Sequence, residues 1–357
     1  MAHGRFAEPG PAGDFKDSPY EYNLADYAQG RTFDGVDLHP SQGDFATVKA
    51  TYASDSDEVR ESATGHGVRP ADDLTKFAWD PYGVSLVSSS LPFQRTEYYL
   101  ADGLKWISSF MRPSGILYET EGSTFQLGRT YRREWNKGVL GPRLTQGPIQ
   151  ANGLTLGAQR SGDKLHFGLS LRSDSDPRHA NEPGSSAGPA KLYRDGELLA
   201  DWRHAEYVEV PVPAGAASYR LESQVAVAGV EVSTKISNAW TFRSGHVDGV
   251  AALPFMAVHF TPVLDDRNHA RAGAGFTIPI SVQRQPGAPA VKVKSLTVDS
   301  STDDGTTWRS ARVERVGDGW RTKVTNPAGG AVSLRATATD ADGNKVEQTI
   351  IRGYLVN

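Results

Sequence analysis

Three residues with catalytic chemistry occur in an order that a serine hydrolase can use. Asp34, His66 and Ser186 would supply the acid, the base and the nucleophile, and Ser186 lies in a Gly-x-Ser-x-Gly pattern. Such a triad needs the serine at a sharp turn that exposes its hydroxyl beside the imidazole and an oxyanion hole. Ser186 instead lies between Pro183 and Pro189 and leads into a predicted hairpin. We therefore interpret the three as unrelated residues and predict no catalytic site in this chain.

Metal and cofactor sites have no clear signature either. The chain has no cysteine, and its nine histidines lack the spacing of a zinc motif. Residues 340–344 (DADGN) begin like a calcium loop, but the terminal bidentate glutamate of an EF-hand is missing at the required distance. We predict a plain β-turn there, no cofactor, and calcium binding only as an alternative without further support.

Tryptophans are the candidate binding residues, because exposed aromatic rings can stack on a ligand. Four of the seven tryptophans lie in polar surroundings, and these four are the candidates for a stacking platform: Trp79, Trp106, Trp135 and Trp202. Tryptophans in β-sandwiches more often pack in the core or under turns, so core packing is the alternative interpretation of each ring.

One motif matches a specific consensus sequence. Residues 301–308 (STDDGTTW) match the Asp-box pattern Ser-x-Asp-x-Gly-x-Thr-Trp, whose key positions here are Ser301, Asp303, Gly305 and Trp308. In such a turn the aspartate accepts local hydrogen bonds, the glycine takes a positive φ, and the tryptophan packs under the turn. A propeller would repeat the motif in every blade, and it occurs once here. We predict a structural role for it.

Short β-strands must position all of these residues. Apolar and polar residues alternate along segments such as 165–172 and 332–339, and no segment keeps the period of an amphipathic helix. Asp195-Gly196 between two strand-like segments is a strong hairpin signal. The abundant glycines and prolines are typical of many short strands joined by turns. The predicted fold class is all-β, with three consecutive β-sandwich-like domains.

The predicted boundaries follow changes in composition and in strand spacing. Residues 1–32 are expected to be a linker or a loosely ordered segment, because prolines and glycines crowd residues 9–13. Residues 33–148 form a β-rich domain, and residues 149–249 form a β-sandwich. Residues 250–357 form a sandwich that is immunoglobulin-like or fibronectin-like, with about seven strands and regular turns.

The composition limits the classes of partner. The formal net charge of −4 removes the simplest electrostatic case for nucleic acid or for an anionic membrane surface. No stretch is long and apolar enough to predict a membrane-spanning helix. We therefore expect neither nucleic acid nor a membrane as a partner.

Five sequence segments resemble, in their order along the chain, the C-terminal non-catalytic region of large secreted subtilisin-family serine peptidases of actinobacteria. They are residues 95–99 (RTEYY), 134–142 (EWNKGVLGP), 238–244 (NAWTFRS), 333–344 (SLRATATDADGN) and 346–354 (VEQTIIRGY). The resemblance implies that the catalytic triad lies upstream, so it transfers no catalytic role to any residue here. It also implies secretion and a subtilisin-type catalytic domain as partner.

The leading functional prediction is a non-catalytic accessory region that stabilises such a peptidase or binds its protein substrate. The chain itself is then not an enzyme. One alternative is a module that binds carbohydrate or cell wall, in which case a polysaccharide is the partner. The other alternative is a binding partner that resembles a protease inhibitor, although the sequence has no distinct reactive loop.

Overall fold

The computed structural model describes residues 2–10, 12–26, 37–70, 87–145 and 156–357. The chain forms two compact units, each with its own hydrophobic core. The N-terminal unit comprises Met1–Ser54 and Glu58–Asn136. The C-terminal unit comprises Asp55–Asp57 and Lys137–Asn357.

The described residues of the N-terminal unit form ten strands and one short 3-10 helix, Gln42–Asp44. The strands are β1 (Ala2–Ala7), β2 (Tyr20–Asp26), β3 (Phe45–Tyr52), β4 (Arg60–Pro70), β5 (Val87–Leu91), β6 (Phe93–Leu100), β7 (Leu104–Arg112), β8 (Gly115–Glu119), β9 (Ser123–Thr124) and β10 (Thr130–Trp135).

Two sheets enclose the core of this unit. One sheet has the order β1-β2-β6-β3-β10, in which β2 runs parallel to β6 and β10 runs parallel to β3. The other is an antiparallel sheet in the order β8-β7-β4-β5, with β9 beside β7. Stacked rings of Tyr52, Phe93 and Trp135 fill part of the space between the sheets, where aromatic burial stabilises the packing.

In the C-terminal unit, the part of the chain that the structure describes forms twenty strands and one short 3-10 helix, Pro183–Ser186. The strands are β11 (Gly141–Arg143), β12 (Gly157–Gly162), β13 (Lys164–Gly168), β14 (Ser170–Ser173), β15 (His179–Asn181), β16 (Gly188–Arg194), β17 (Glu197–Ala205), β18 (Tyr207–Pro211), β19 (Ala217–Ala226), β20 (Lys235–Ser244), β21 (Val247–Ala252), β22 (Met256–Phe260), β23 (His269–Ala270), β24 (Gly273–Arg284), β25 (Val293–Ser301), β26 (Arg309–Ala311), β27 (Val313–Val316), β28 (Gly319–Asn326), β29 (Gly330–Asp340) and β30 (Lys345–Val356).

A nine-stranded sheet dominates this unit. Its order is β17-β16-β19-β20-β30-β29-β25-β26, with β23 pairing to β30. Smaller sheets have the orders β18-β13-β12-β21, β22-β24-β28-β27 and β11-β14. Trp240 of β20 lies in the core, where its ring stacks on Phe255 and its indole N–H donates to the carbonyl of Met256 at 2.7 Å. One face of the large sheet is therefore closed by the core.

The predicted all-β class is confirmed, but the structure divides the chain differently from the predicted domains. Residues 156–249 and 250–357, from two different predicted domains, share one core and one large sheet, because β20 pairs with β30 over residues 235–241. Residues 1–32 were expected to be a linker, yet β1 and β2 belong to the first sheet of the N-terminal unit. Long-range strand pairing explains both differences, since pairing partners lie far apart in the sequence.

Among the described residues, no helix is long and apolar enough to cross a membrane.

Candidate functional site

One face of the nine-stranded sheet is polar and accessible, and we call it the outer face. Along β19, β20 and β30 every second residue is buried in the core, so the residues between them point to the opposite side. The strand register arranges these residues in rows across the sheet. One row is Lys191, Glu222, Ala239, Glu347 and Thr337, and the next is Gln224, Ser237, Thr349, Arg335 and Asp299.

An open groove with a volume of about 650 Å³ crosses the outer face. Its floor is at Ala239 on the central strand β20, where the side chain is only 7% exposed. Glu222 and Glu347 flank this alanine on the neighbouring strands. The groove follows from this sequence, because a methyl group between two longer side chains leaves a depression.

Ion pairs hold the charged side chains of the groove in place. Arg220 donates to Glu222 at 2.8 Å and also to Glu347, so one guanidinium links two strands. Arg335 donates to Asp299 at 2.9 Å and covers the ring of Trp308, whose centroid lies 4.6 Å from the guanidinium carbon. Such pairs restrict the rotamers of the side chains before any ligand arrives.

The pKa shifts of Glu347 and Arg220 favour the charged form of each side chain. Burial alone would raise the pKa of Glu347, but hydrogen bonds from Arg220 and Lys345 outweigh burial and lower it. Burial alone would lower the pKa of Arg220, and its two carboxylate partners raise it instead. The charged residues that line the groove are three cations and three anions, so its formal charge is zero: Lys191, Arg220, Arg335, Glu222, Asp299 and Glu347.

A smaller cavity of about 210 Å³ adjoins the groove at Arg220 and Glu222, which line both. The half-buried ring of Tyr193 lines this cavity beside Gly196, which has no side chain to cover it. Tyr193 pairs directly with Arg220 in the register of β16 and β19. The groove therefore has an aromatic surface at one end.

The N-terminal unit contains a second polar site, a buried charge network between its two sheets. Glu21 of β2 and Glu97 of β6 are register partners, which brings two carboxylates to the same face of one sheet. Arg95 donates to Glu97 at 2.9 Å and lies 3.0 Å from Glu21, and Arg5 makes two further bonds to Glu21 at 2.6 and 2.7 Å. Two guanidiniums therefore balance two carboxylates.

The guanidiniums of Arg5 and Arg95 also keep Glu21 ionised. Burial would raise the pKa of this carboxyl, but the charges of Arg95 and Arg5 outweigh burial and hold the pKa well below its ordinary value. Tyr99, which donates to Glu97 at 2.8 Å, has its pKa raised well above the ordinary value, chiefly by burial and then by the charge of Glu97. Glu21 stays charged and Tyr99 stays neutral at physiological pH.

The network also brings together the three residue types of a Ser–His–acid triad. Nε2 of His66 lies 2.9 Å from Glu21, and Nδ1 of His66 lies 3.0 Å from the hydroxyl of Ser108. His66 and Ser108 are register partners in the middle of β4 and β7, and both side chains are buried. The backbone N–H of Ser108, an oxyanion donor in a working triad, donates to Glu119 at 3.1 Å. We therefore interpret the contact as core hydrogen bonding.

The same residues also include a possible set of metal ligands. Glu21, His66 and Glu97 each place one ligand atom within 4.8 Å of the others. Both carboxylates are already neutralised by guanidiniums, so a divalent cation would leave a buried excess of positive charge. The donor set fits arginine better than a metal ion.

The three described tryptophans of the predicted aromatic platform do not form one. Trp106 and Trp135 lie in the core of the N-terminal unit and are 0% and 2% exposed, so neither offers a free ring face. Trp202 of β17 is half-buried and packs against the core of the C-terminal unit. Trp79 lies outside the described residues. For Trp106 and Trp135 the alternative of core packing therefore replaces the predicted binding role.

The serine-hydrolase pattern has no structural counterpart among the described residues. Asp34 lies outside them. His66 belongs to the N-terminal unit and is buried in β4, whereas Ser186 ends the short 3-10 helix before β16 in the C-terminal unit.

The Asp-box residues form a self-satisfied turn. Asp303 accepts hydrogen bonds from the hydroxyl of Ser301 at 2.7 Å and from the backbone N–H of Thr307 at 2.8 Å. Bonds from Thr307 and then from Ser301 lower the pKa of Asp303 to about 2. Gly305 has a φ of 84° and leaves room for the ring of Trp308.

The acidic turn at residues 340–344 is also internally bonded. The carboxylate of Asp340 accepts from the backbone N–H groups of Asp342 and Asn344, at 3.0 and 2.9 Å, and from the Asn344 amide at 2.9 Å. Its oxygens are engaged within the turn, as the plain β-turn interpretation requires.

The sequence analysis predicts neither the groove of the outer face nor the buried charge network of the N-terminal unit. Alternating charged residues on β19 (Arg220, Glu222) and on β6 (Arg95, Glu97) were visible signals of a polar strand face. What the alternation does not say is which of these faces is open and which is buried.

No protein-family model matches the chain, and no curated protein is significantly similar to it.

Proposed function

We propose that this chain is a non-catalytic accessory region of a secreted subtilisin-family peptidase, and that its outer face anchors the peptidase to the material that contains its protein substrate. The link to a peptidase is supported by the five sequence segments that resemble, in order, the C-terminal region of such peptidases. The groove supports the binding role, since ligand sites are concave and carry a few convergent polar groups.

The observation that carries the proposal is an open groove whose three carboxylates are all held in ion pairs with arginines. Of the described residues that line it, none is a histidine. The Ser–His–acid arrangement of Ser108, His66 and Glu21 lies instead in a core, with all three side chains buried. An accessible surface whose carboxylates are paired with guanidiniums, and that has no histidine beside its serines, favours binding over catalysis.

Hydrolysis of casein and of a peptide ester tests the non-catalytic part. We expect the purified chain to show no turnover above background, and we expect Ser108→Ala and Ser186→Ala to leave that background unchanged. Hydrolysis by the wild-type chain that disappears in either variant would refute the proposal.

Retention on immobilised ligands tests the binding part. We expect the chain to be retained by at least one of casein, xylan, chitin and peptidoglycan, and we expect Ala239→Trp to reduce that retention, because an indole would fill the floor of the groove. If retention on all four is absent, or is the same in Ala239→Trp, the outer face is not the binding surface.

A further inference from the structure

We infer that the groove of the outer face binds a neutral linear polysaccharide. The inference rests on the proposed function and names the class of ligand for the same surface. Four observations carry it: the charge balance of the groove, its hydrogen-bonding groups, the position of its floor within the sheet, and the aromatic surface at one end.

The charge balance selects against charged ligands. The three cations and three anions that line the groove leave no net charge to attract nucleic acid or a strongly acidic or basic peptide. Arg220 is shared between Glu222 and Glu347, and Arg335 is paired with Asp299, so these cations are already satisfied. A neutral ligand can approach such a surface without displacing an ion pair.

The hydrogen-bonding groups of the groove suit hydroxyl groups. Guanidinium N–H groups donate, carboxylates accept, and the side chains of Ser237, Thr337 and Thr349 do both. Each hydroxyl of a sugar also donates and accepts, so neighbouring hydroxyls can bridge an arginine and its carboxylate together. Because the ion pairs already fix the side chains, little conformational entropy is lost on binding.

The floor of the groove is less suited to an extended polypeptide. Polypeptides that bind to sheets usually add a strand at a free edge and place alternate side chains in pockets. Ala239 lies on β20, which is paired on one side with β19 and on the other with β30. The groove therefore offers no free strand edge at its centre.

The aromatic end supplies the apolar contact that sugar rings need. Tyr193 lines the smaller cavity that continues the groove past Arg220. The face of an aromatic ring packs on the C–H face of a sugar. From β16 to β25 the outer face spans about 24 Å at ~4.8 Å per strand, which accommodates several units of a linear chain.

The test compares retention of the full chain on insoluble xylan, on chitin and on immobilised casein. We expect retention on xylan or chitin that persists at high salt, since no net charge is involved. Ala239→Trp should weaken it at least about tenfold, whereas Ser295→Trp, on an exposed position of β25 outside the groove, should leave it unchanged. Circular dichroism and urea unfolding establish that both variants are folded.

A second variant keeps the test decisive if Ala239→Trp does not fold. Tyr193→Ala removes the aromatic surface and should also reduce retention on the polysaccharide. Unchanged retention in Tyr193→Ala, or no retention of the wild-type chain on xylan and chitin, overturns the inference. If retention on casein alone depends on Ala239, the proposed function survives and the polysaccharide is excluded. If no retention depends on Ala239, both proposals fail.

Discussion

At the scale of single residues, the buried charge network is the part of the molecule most sensitive to substitution. Glu21 and Glu97 depend on Arg5 and Arg95, and all four side chains are at most 2% exposed. Removing one partner of such a network leaves an uncompensated charge in a core, where water does not replace the lost bond.

Arg95→Leu is expected to destabilise the N-terminal unit by about 3–5 kcal/mol, because Glu97 loses its guanidinium while it stays buried. Urea unfolding measures the change. The matched control is Arg321→Leu, which breaks an exposed pair with Glu314 and should destabilise the chain far less. Equal effects of the two variants would show that the buried network contributes no more than a surface ion pair.

The pH dependence of stability should report the ionisation of Glu21. Its pKa in the folded chain lies well below the ordinary value of 4.5, so the folded state binds fewer protons than the unfolded state. The contribution of Glu21 is complete above pH 4.5 and is lost as the pH falls through the folded pKa. Urea unfolding at a series of acidic pH values should give a shallower dependence for Glu21→Gln, while the exposed control Glu197→Gln retains the wild-type slope. Identical slopes for Glu21→Gln and wild type would contradict the assignment.

At the scale of elements, turns decide where the strands of the C-terminal unit begin and end. The Asp195-Gly196 turn has φ values of 50° and 88° and joins β16 to β17, as the sequence predicts for a hairpin. The Asp-box turn follows β25 and is closed by bonds to Asp303. Both depend on glycine in a left-handed conformation.

Gly305→Ala is expected to cost about 2 kcal/mol, which is more than the conformational strain alone, about 1 kcal/mol. The added Cβ would lie 2.8 Å from a methyl of Ile351 and 3.2 Å from the ring of Trp308. Gly317→Ala is the control, since its φ of 56° is also positive but nothing lies within 4 Å of the added atom. Thermal unfolding of the two variants measures the difference, and equal shifts would mean that the turn tolerates the contact.

At the scale of the whole molecule, each of the two units has its own main hydrophobic core among the described residues. Trp106 and Phe110 belong to the first, and Trp240 and Leu334 belong to the second. Units with independent cores generally unfold as separate cooperative transitions.

Scanning calorimetry should therefore resolve two transitions. Arg95→Leu should lower the temperature of one of them, and Leu334→Ala, which opens a cavity in the other core at a cost of about 2–5 kcal/mol, should lower the temperature of the other. If both substitutions shift one common transition, the two units unfold as one.

The amino-acid sequence by itself determined the local features of this protein. Two-residue alternation was sufficient to predict an all-β chain, and the Asp195-Gly196 hairpin followed from the preferences of its two residues. These features depend on neighbours in the sequence, since an alternating pattern and a turn conformation are both set within a few residues.

Only the tertiary structure decided which residues meet. It paired β20 with β30, which joined two predicted domains into one unit, and it paired β2 with β6, which brought Glu21 beside Glu97. It also placed Ala239 on an open face and Trp106 and Trp135 in a core. The physical reason is that register between distant strands is selected by core packing over the whole unit, and no local pattern carries that information.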